Sequence, residues 1–126
     1  MSFNWSEYLA LAQELFTMSP TSAIKEADLR SAISRAYYAA FCQSRDHLIY
    51  KDRDPIPYEV NAHEYVVKRF ENSSDARRQK IGQLLHHLRS TRNIADYQDE
   101  FFGDLQGRAK AALAEAQRII HLLSQL

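Results

Sequence analysis

Cysteine, proline and glycine are all scarce in this chain of 126 residues, which has one Cys, three Pro and three Gly. A lone Cys42 cannot form an intrachain disulfide, so the fold must be held by a hydrophobic core, and a chain of this length is long enough to bury one within a single domain. Set among Ala, Tyr and Phe, Cys42 is expected to be a small buried hydrophobe, and a reducing cytoplasm fits it. No uninterrupted apolar stretch approaches the roughly 18 residues of a membrane span, and the opening MSFNWSEYLALAQELF lacks the basic start and cleavage site of a signal peptide. Neither export nor membrane insertion is expected. A Gly-rich phosphate loop and a Gly-x-Ser-x-Gly elbow are missing too, and the adjacent His86 and His87 point to different sides of a helix with no carboxylate or Cys to complete a metal site. No cofactor and no metal are expected.

Net charge is also absent: 16 basic and 16 acidic residues balance at +0, which by itself predicts no attraction to nucleic acid. The distribution is uneven. Between Arg77 and Arg92 the chain carries Arg77, Arg78, Lys80, Arg89 and Arg92, with His86 and His87 among them and no acid. Acids gather near the start and again at Asp96, Asp99, Glu100 and Asp104. A neutral protein can thus present one basic face, or the same charges can be solvated and neutralised by neighbouring acids.

What is present is helical periodicity. Ser2 or Asn4 can cap a first helix with Trp5, Tyr8, Leu9, Ala12, Leu15 and Phe16 on one stripe, ended by Ser19-Pro20. Thr21 or Ser22 is expected to open a second, whose stripe of Leu29, Ile33, Ala36, Tyr37, Ala40, Phe41 and Leu48 makes it the spine of the core. Lys51 to Tyr58 has charges, two prolines and no period, and reads as an exposed, mobile loop. Asn61 with Glu64 predicts the cap of a short third helix through Tyr65, Val66 and Phe70, stopping near Asn72-Ser73-Ser74. Asp75 starts a fourth with Ile81, Leu84, Leu85, Leu88 and Ala95 on its apolar side, and Arg92 falls in line with them. Asp104 or Gln106 begins a fifth through Leu105, Ala109, Ala112, Leu113, Ala116, Ile119, Ile120 and Leu123. With no strand pattern or repeat, the expected fold is all-α: an antiparallel bundle of about five helices in one domain, residues 1–126.

Arg92 is the oddest residue of that pattern. A buried, unpaired guanidinium costs several kcal/mol by rough estimate, so it needs a partner, a wet groove or a ligand. Asp96 lies four residues on, and the plainest outcome is an intrahelical ion pair. Asn93 and Tyr97 have the same spacing, so Arg92, Asn93, Asp96 and Tyr97 project as one polar patch. Arg35 on the second helix can pair with Asp96 across the helix pair and orient Arg92. Tyr37 is expected in the core with its hydroxyl bonded at the edge.

Two segments, Ser34-Arg35-Ala36-Tyr37-Tyr38-Ala39-Ala40-Phe41 and Arg92-Asn93-Ile94-Ala95-Asp96-Tyr97, resemble the HEPN family of RNA-directed proteins. With helix order and length the likeness covers nearly the whole chain, and it is nearest to short stand-alone members encoded beside a minimal nucleotidyltransferase. The resemblance implies a metal-independent ribonuclease of a toxin–antitoxin-like module, with Arg92 stabilising the scissile phosphate, Asn93 positioning it and Tyr97 donating a hydrogen bond. It also implies a homodimer with the two fourth helices side by side, and RNA contacts from Arg77, Arg78, Lys80 and Arg89. A non-catalytic module that binds RNA, a nucleotide or the nucleotidyltransferase partner is the alternative. Active members carry a His four to six residues beyond the Arg-polar pair; here Tyr97 follows Arg92 after four, and none of His47, His63, His86, His87 or His121 follows an Arg at that gap. A phenol with a pKa of about 10 is a poor base at neutral pH, so proton transfer would need a His such as His86 or His87 to enter the groove from elsewhere.

Overall fold

The computed structural model describes residues 3–126. Its helices are α1 (Ser6–Met18), α2 (Lys25–Asp46), α3 (Ala62–Glu71), α4 (Ala76–Tyr97) and α5 (Leu105–Ser124), with no strand among the described residues. They form an antiparallel five-helix bundle. α2 is its spine, packed on α1, α4 and α5, while α3 docks mainly on α4. Ile33, Tyr37, Phe70, Ile81, Leu85, Leu88 and Ile119 are fully buried where these helices meet. No described helix is long and apolar enough to cross a membrane.

Side-chain caps set most of the boundaries. The Asn61 carboxamide accepts the Glu64 amide at 3.0 Å, the Asp75 carboxylate accepts the Arg77 amide at 2.8 Å, and Asp104 accepts the Gly107 amide at 3.0 Å. Each satisfies an amide that the first helical turn leaves without a partner. The Glu64 carboxylate does not reach back toward Asn61; it pairs with Lys68 at 2.7 Å, one turn on. Asn4 accepts the Ser6 amide at 3.1 Å, and the alternative cap Ser2 lies outside the described residues.

Two expectations need correction. α2 opens at Lys25, not at Thr21 or Ser22, because Ser19–Thr21 forms a separate 3-10 turn and Ser22 turns its hydroxyl to the Ile24 amide. The loop after Lys51 is exposed but tied down: Arg78 grips Asp52 through two hydrogen bonds of 2.7 and 2.8 Å, and Tyr65 and Arg69 each bond Asp54 at 2.7 Å. The loop's acids meet bases of α3 and α4 that its own composition does not reveal.

Candidate functional site

Arg92 sits in the core-facing line of α4 and is only 5% exposed. Its guanidinium carbon lies 5.0 Å from the centroid of Tyr37, 5.3 Å from Tyr38 and 5.9 Å from Tyr97, so three tyrosine rings surround one cation. The nearest carboxylate oxygen, on Asp96, is 3.7 Å away, too long for a hydrogen bond, and the Arg92 Nε is sealed without any partner. Cation–π attraction supplies about 0.5–2 kcal/mol per favourable ring and replaces part of the lost hydration. It does not satisfy the guanidinium N–H groups; the sealed Nε is closed to an anion, and only the terminal Nη atoms are left to meet one.

The expected ion pair between Arg92 and Asp96 is therefore present but loose. Arg35 does not join it. Asp96 instead accepts the Ser34 hydroxyl at 3.1 Å, while Arg35, one residue further along α2, is rotated toward α1 and lies 4.8 Å from the Tyr8 ring. The last turn of α4 is anchored by a residue the sequence did not single out: Arg30 donates to the carbonyls of Ala95, Gln98 and Asp99 at 3.0, 2.6 and 3.1 Å. The Ala95 oxygen belongs to the last turn of α4 and the other two lie just past its end, and a guanidinium suits a helix C-terminus in hydrogen bonding and in charge.

A second unforeseen residue is His63, at the start of α3. Its ring stacks on Phe41 with centroids 4.2 Å apart, and its Nδ1 meets the Tyr37 hydroxyl. Burial, then the charges of Arg89 and Arg92, pull its pKa down from 6.5 to about 4, and burial pushes the Tyr37 hydroxyl well above the usual phenol range. At neutral pH Tyr37 thus stays protonated and the imidazole neutral, the two joined by one hydrogen bond between the hydroxyl and Nδ1. Tyr37 touches both functional groups: its hydroxyl holds His63 and its ring lies beneath Arg92. No spacing along the chain signals this, because it depends on how α3 docks.

The remaining basic residues divide. Arg89 is one turn from Arg92, its Nε also buried and unpartnered, and it lines a groove of about 300 Å³ between α3 and α4 with His86 and Asn93. Arg77 and Arg78 lie at the opposite end of α4, where Arg77 pairs with Asp75 at 3.0 Å and Arg78 with Asp52 at 2.7 Å. Lys80 is exposed, about 18 Å along the helix axis from Arg92. His87 turns to α5 and meets Glu115 at 2.9 Å. The site therefore gathers Arg92, Asp96, Tyr97 and Arg89, with Asn93 and His86 in the adjoining groove, and leaves Arg77, Arg78, Lys80 and His87 apart. No family model, no curated protein and no solved structure matches this chain.

Proposed function

We propose that this protein is a HEPN-type, RNA-directed protein acting in the cytoplasm as one half of a toxin–antitoxin-like pair, with metal-independent RNA cleavage centred on Arg92. The observation that carries the reading is a guanidinium 5% exposed with no hydrogen bond and only a long ion pair, a state that costs stability and suits a group held ready for an anion. In this reading Arg92 stabilises charge on the phosphorane and Arg89 and Asn93 hold the flanking phosphate. Tyr97, 75% exposed at the end of α4, donates a hydrogen bond. Asp96, held by Ser34, keeps a carboxylate 3.7 Å from the guanidinium. Phe102, five residues after Tyr97 and 78% exposed, is an apolar side chain that a second copy or a nucleotidyltransferase partner would cover.

One observation favours the non-catalytic alternative. His63, an imidazole that feels the charge of Arg92, is held neutral and spends Nδ1 on Tyr37, so it is not poised to take a proton. The two readings separate in one assay: total tRNA and a short single-stranded RNA are incubated in EDTA with the native protein and with Arg92→Met purified identically. Cleavage by the native protein alone, leaving 2′,3′-cyclic phosphate ends, supports the nuclease. If neither protein cuts, or both do, the nuclease reading fails, and RNA retention on a filter decides whether the site binds without cutting.

A further inference from the structure

Tyr38 has a guanidinium at 5.3 Å on two sides, Arg92 toward α4 and Arg35 toward α1. Beyond Arg35 a pocket of about 530 Å³ opens between α1, α2 and the start of α3, inside the range of about 300–1,000 Å³ common for small-molecule sites. Its cations are Arg35 and Arg45, its walls include the rings of Trp5, Tyr8, Tyr38 and His63, and no carboxylate lines it. Arg35 is the more available cation. It rests on Tyr8 at 4.8 Å, makes one hydrogen bond of 3.4 Å to the Ser34 hydroxyl, and pairs with no acid among the described residues. Arg45 is partly committed, 3.0 Å from Asp46 and 5.4 Å from the Trp5 ring. His63 also lines the pocket, with its Nδ1 turned to the Tyr37 hydroxyl.

We propose that this pocket takes one nucleotide, its base against the aromatic wall that includes the His63 ring and its phosphate on Arg35, with Arg45 as a further donor. Unpaired cations select an anion, flat rings select a planar group, and the missing carboxylate removes any preference for a cation. The nucleotide can be free or an unstacked unit of single-stranded RNA, for which aromatic stacking beside a basic groove is the general mode of recognition. In the second case the inference rests on the RNA-directed reading and deepens it, because the shared Tyr38 wall sets the bound unit next to Arg92.

Trp5 is the only tryptophan and lines the pocket, so its emission reports occupancy directly. Adenosine and uridine monophosphates, inorganic phosphate and a short single-stranded RNA are titrated against the full chain and against Arg35→Gln and Lys110→Gln, with circular dichroism confirming that each variant is folded. A saturable change is expected with nucleotide or RNA, inorganic phosphate requiring at least ~10-fold more ligand. Arg35→Gln should weaken it by at least ~10-fold and Lys110→Gln should leave it unchanged. Saturation by the monophosphates but not the RNA assigns the pocket to a free nucleotide, and the reverse assigns it to an RNA segment. No saturable response to any probe, or an identical response in folded Arg35→Gln, overturns the proposal. Loss of the RNA-directed reading shows separately, as RNA cleavage or retention that is indifferent to Arg92→Met.

Discussion

Replacing Arg92 with methionine should make the protein more stable, by about 1–2 kcal/mol. A methionine follows the aliphatic stem of arginine and stays in contact with Tyr37 and Tyr38, but it carries no charge to strip of water. The native residue loses nearly all its hydration, at an effective cost of several kcal/mol per ion. Against that cost stand three rings at 5.0, 5.3 and 5.9 Å, together worth about 1–3 kcal/mol, and an ion pair at 3.7 Å to a partly exposed Asp96, worth about 1 kcal/mol or less. Asp96 keeps its Ser34 hydrogen bond in the variant and is 25% exposed, so removing the arginine does not strand it. The opposite change, Asp96→Ala, leaves the guanidinium without the one acid it meets among the described residues and should destabilise by about 1–3 kcal/mol. Urea unfolding at neutral pH, read as a shift of midpoint at constant slope, measures both, and the melting temperature should move by a few degrees in the same directions. If Arg92→Met proves destabilised by more than about 1 kcal/mol, the rings satisfy the guanidinium and the case for a charge held in reserve is lost.

Three further outcomes follow from packing and titration. Arg30→Ala should cost about 1–3 kcal/mol and speed amide exchange in the last turn of α4, because three carbonyls lose a charged donor. Gly82→Ala should destabilise by about 1–2 kcal/mol despite the better helix propensity of Ala, since the added Cβ would lie 2.7 Å from the backbone nitrogen of Glu71 on α3, an atom that cannot swing away. His63 has a folded pKa below its unfolded value of 6.5, so the unfolded chain binds the extra proton: its contribution is intact above pH 6.5 and is lost as pH falls toward about 4. With allowance for the partial exposure of the ring, His63→Gln should lose about 1–2 kcal/mol less than the native protein between pH 7 and 5 in parallel urea titrations.

The sequence makes the helices legible wherever a local signal decides. Asn61, Asp75 and Asp104 sit where their side chains satisfy the first free amides, and the spacing from Leu88 to Ala95 places Arg92 in the buried line. The buried state of Tyr37 follows from the same periodicity, whereas the partner of its hydroxyl does not. Pairing across helices is less legible. Ser34 and Arg35 are both polar and adjacent on α2; one helical step of about 100° separates them, and only the docking of α1 and α4 decides that Ser34 meets Asp96 while Arg35 meets Tyr8. Arg30 lies 65 residues from the Ala95 carbonyl that it caps, and His63 approaches Arg92 only because α3 folds back on α4. The basic run misleads for the same reason: Arg78 finds its acid 26 residues away, in a loop that reads as free.

Arginine rather than lysine at both positions 35 and 92 follows from how the rings use them. A guanidinium lies flat on an aromatic face and keeps its N–H edge directed outward, whereas an ammonium has no face to spare and holds its water more tightly. Tyr38 thus lies between two cations at 5.3 Å each without neutralising either one, which a carboxylate in its place would do. One of the two, Arg92, is buried and the other, Arg35, is half-buried, so the ring between them separates a shielded cation from a more accessible one. Tyr37, with its hydroxyl on His63 and its face on Arg92, holds the second wall of that arrangement in place. The pair of tyrosines in the second helix is therefore what turns an energetically unfavourable arginine into a preorganised one, and the functional reading rests on the Tyr37-Tyr38 doublet as much as on Arg92 itself.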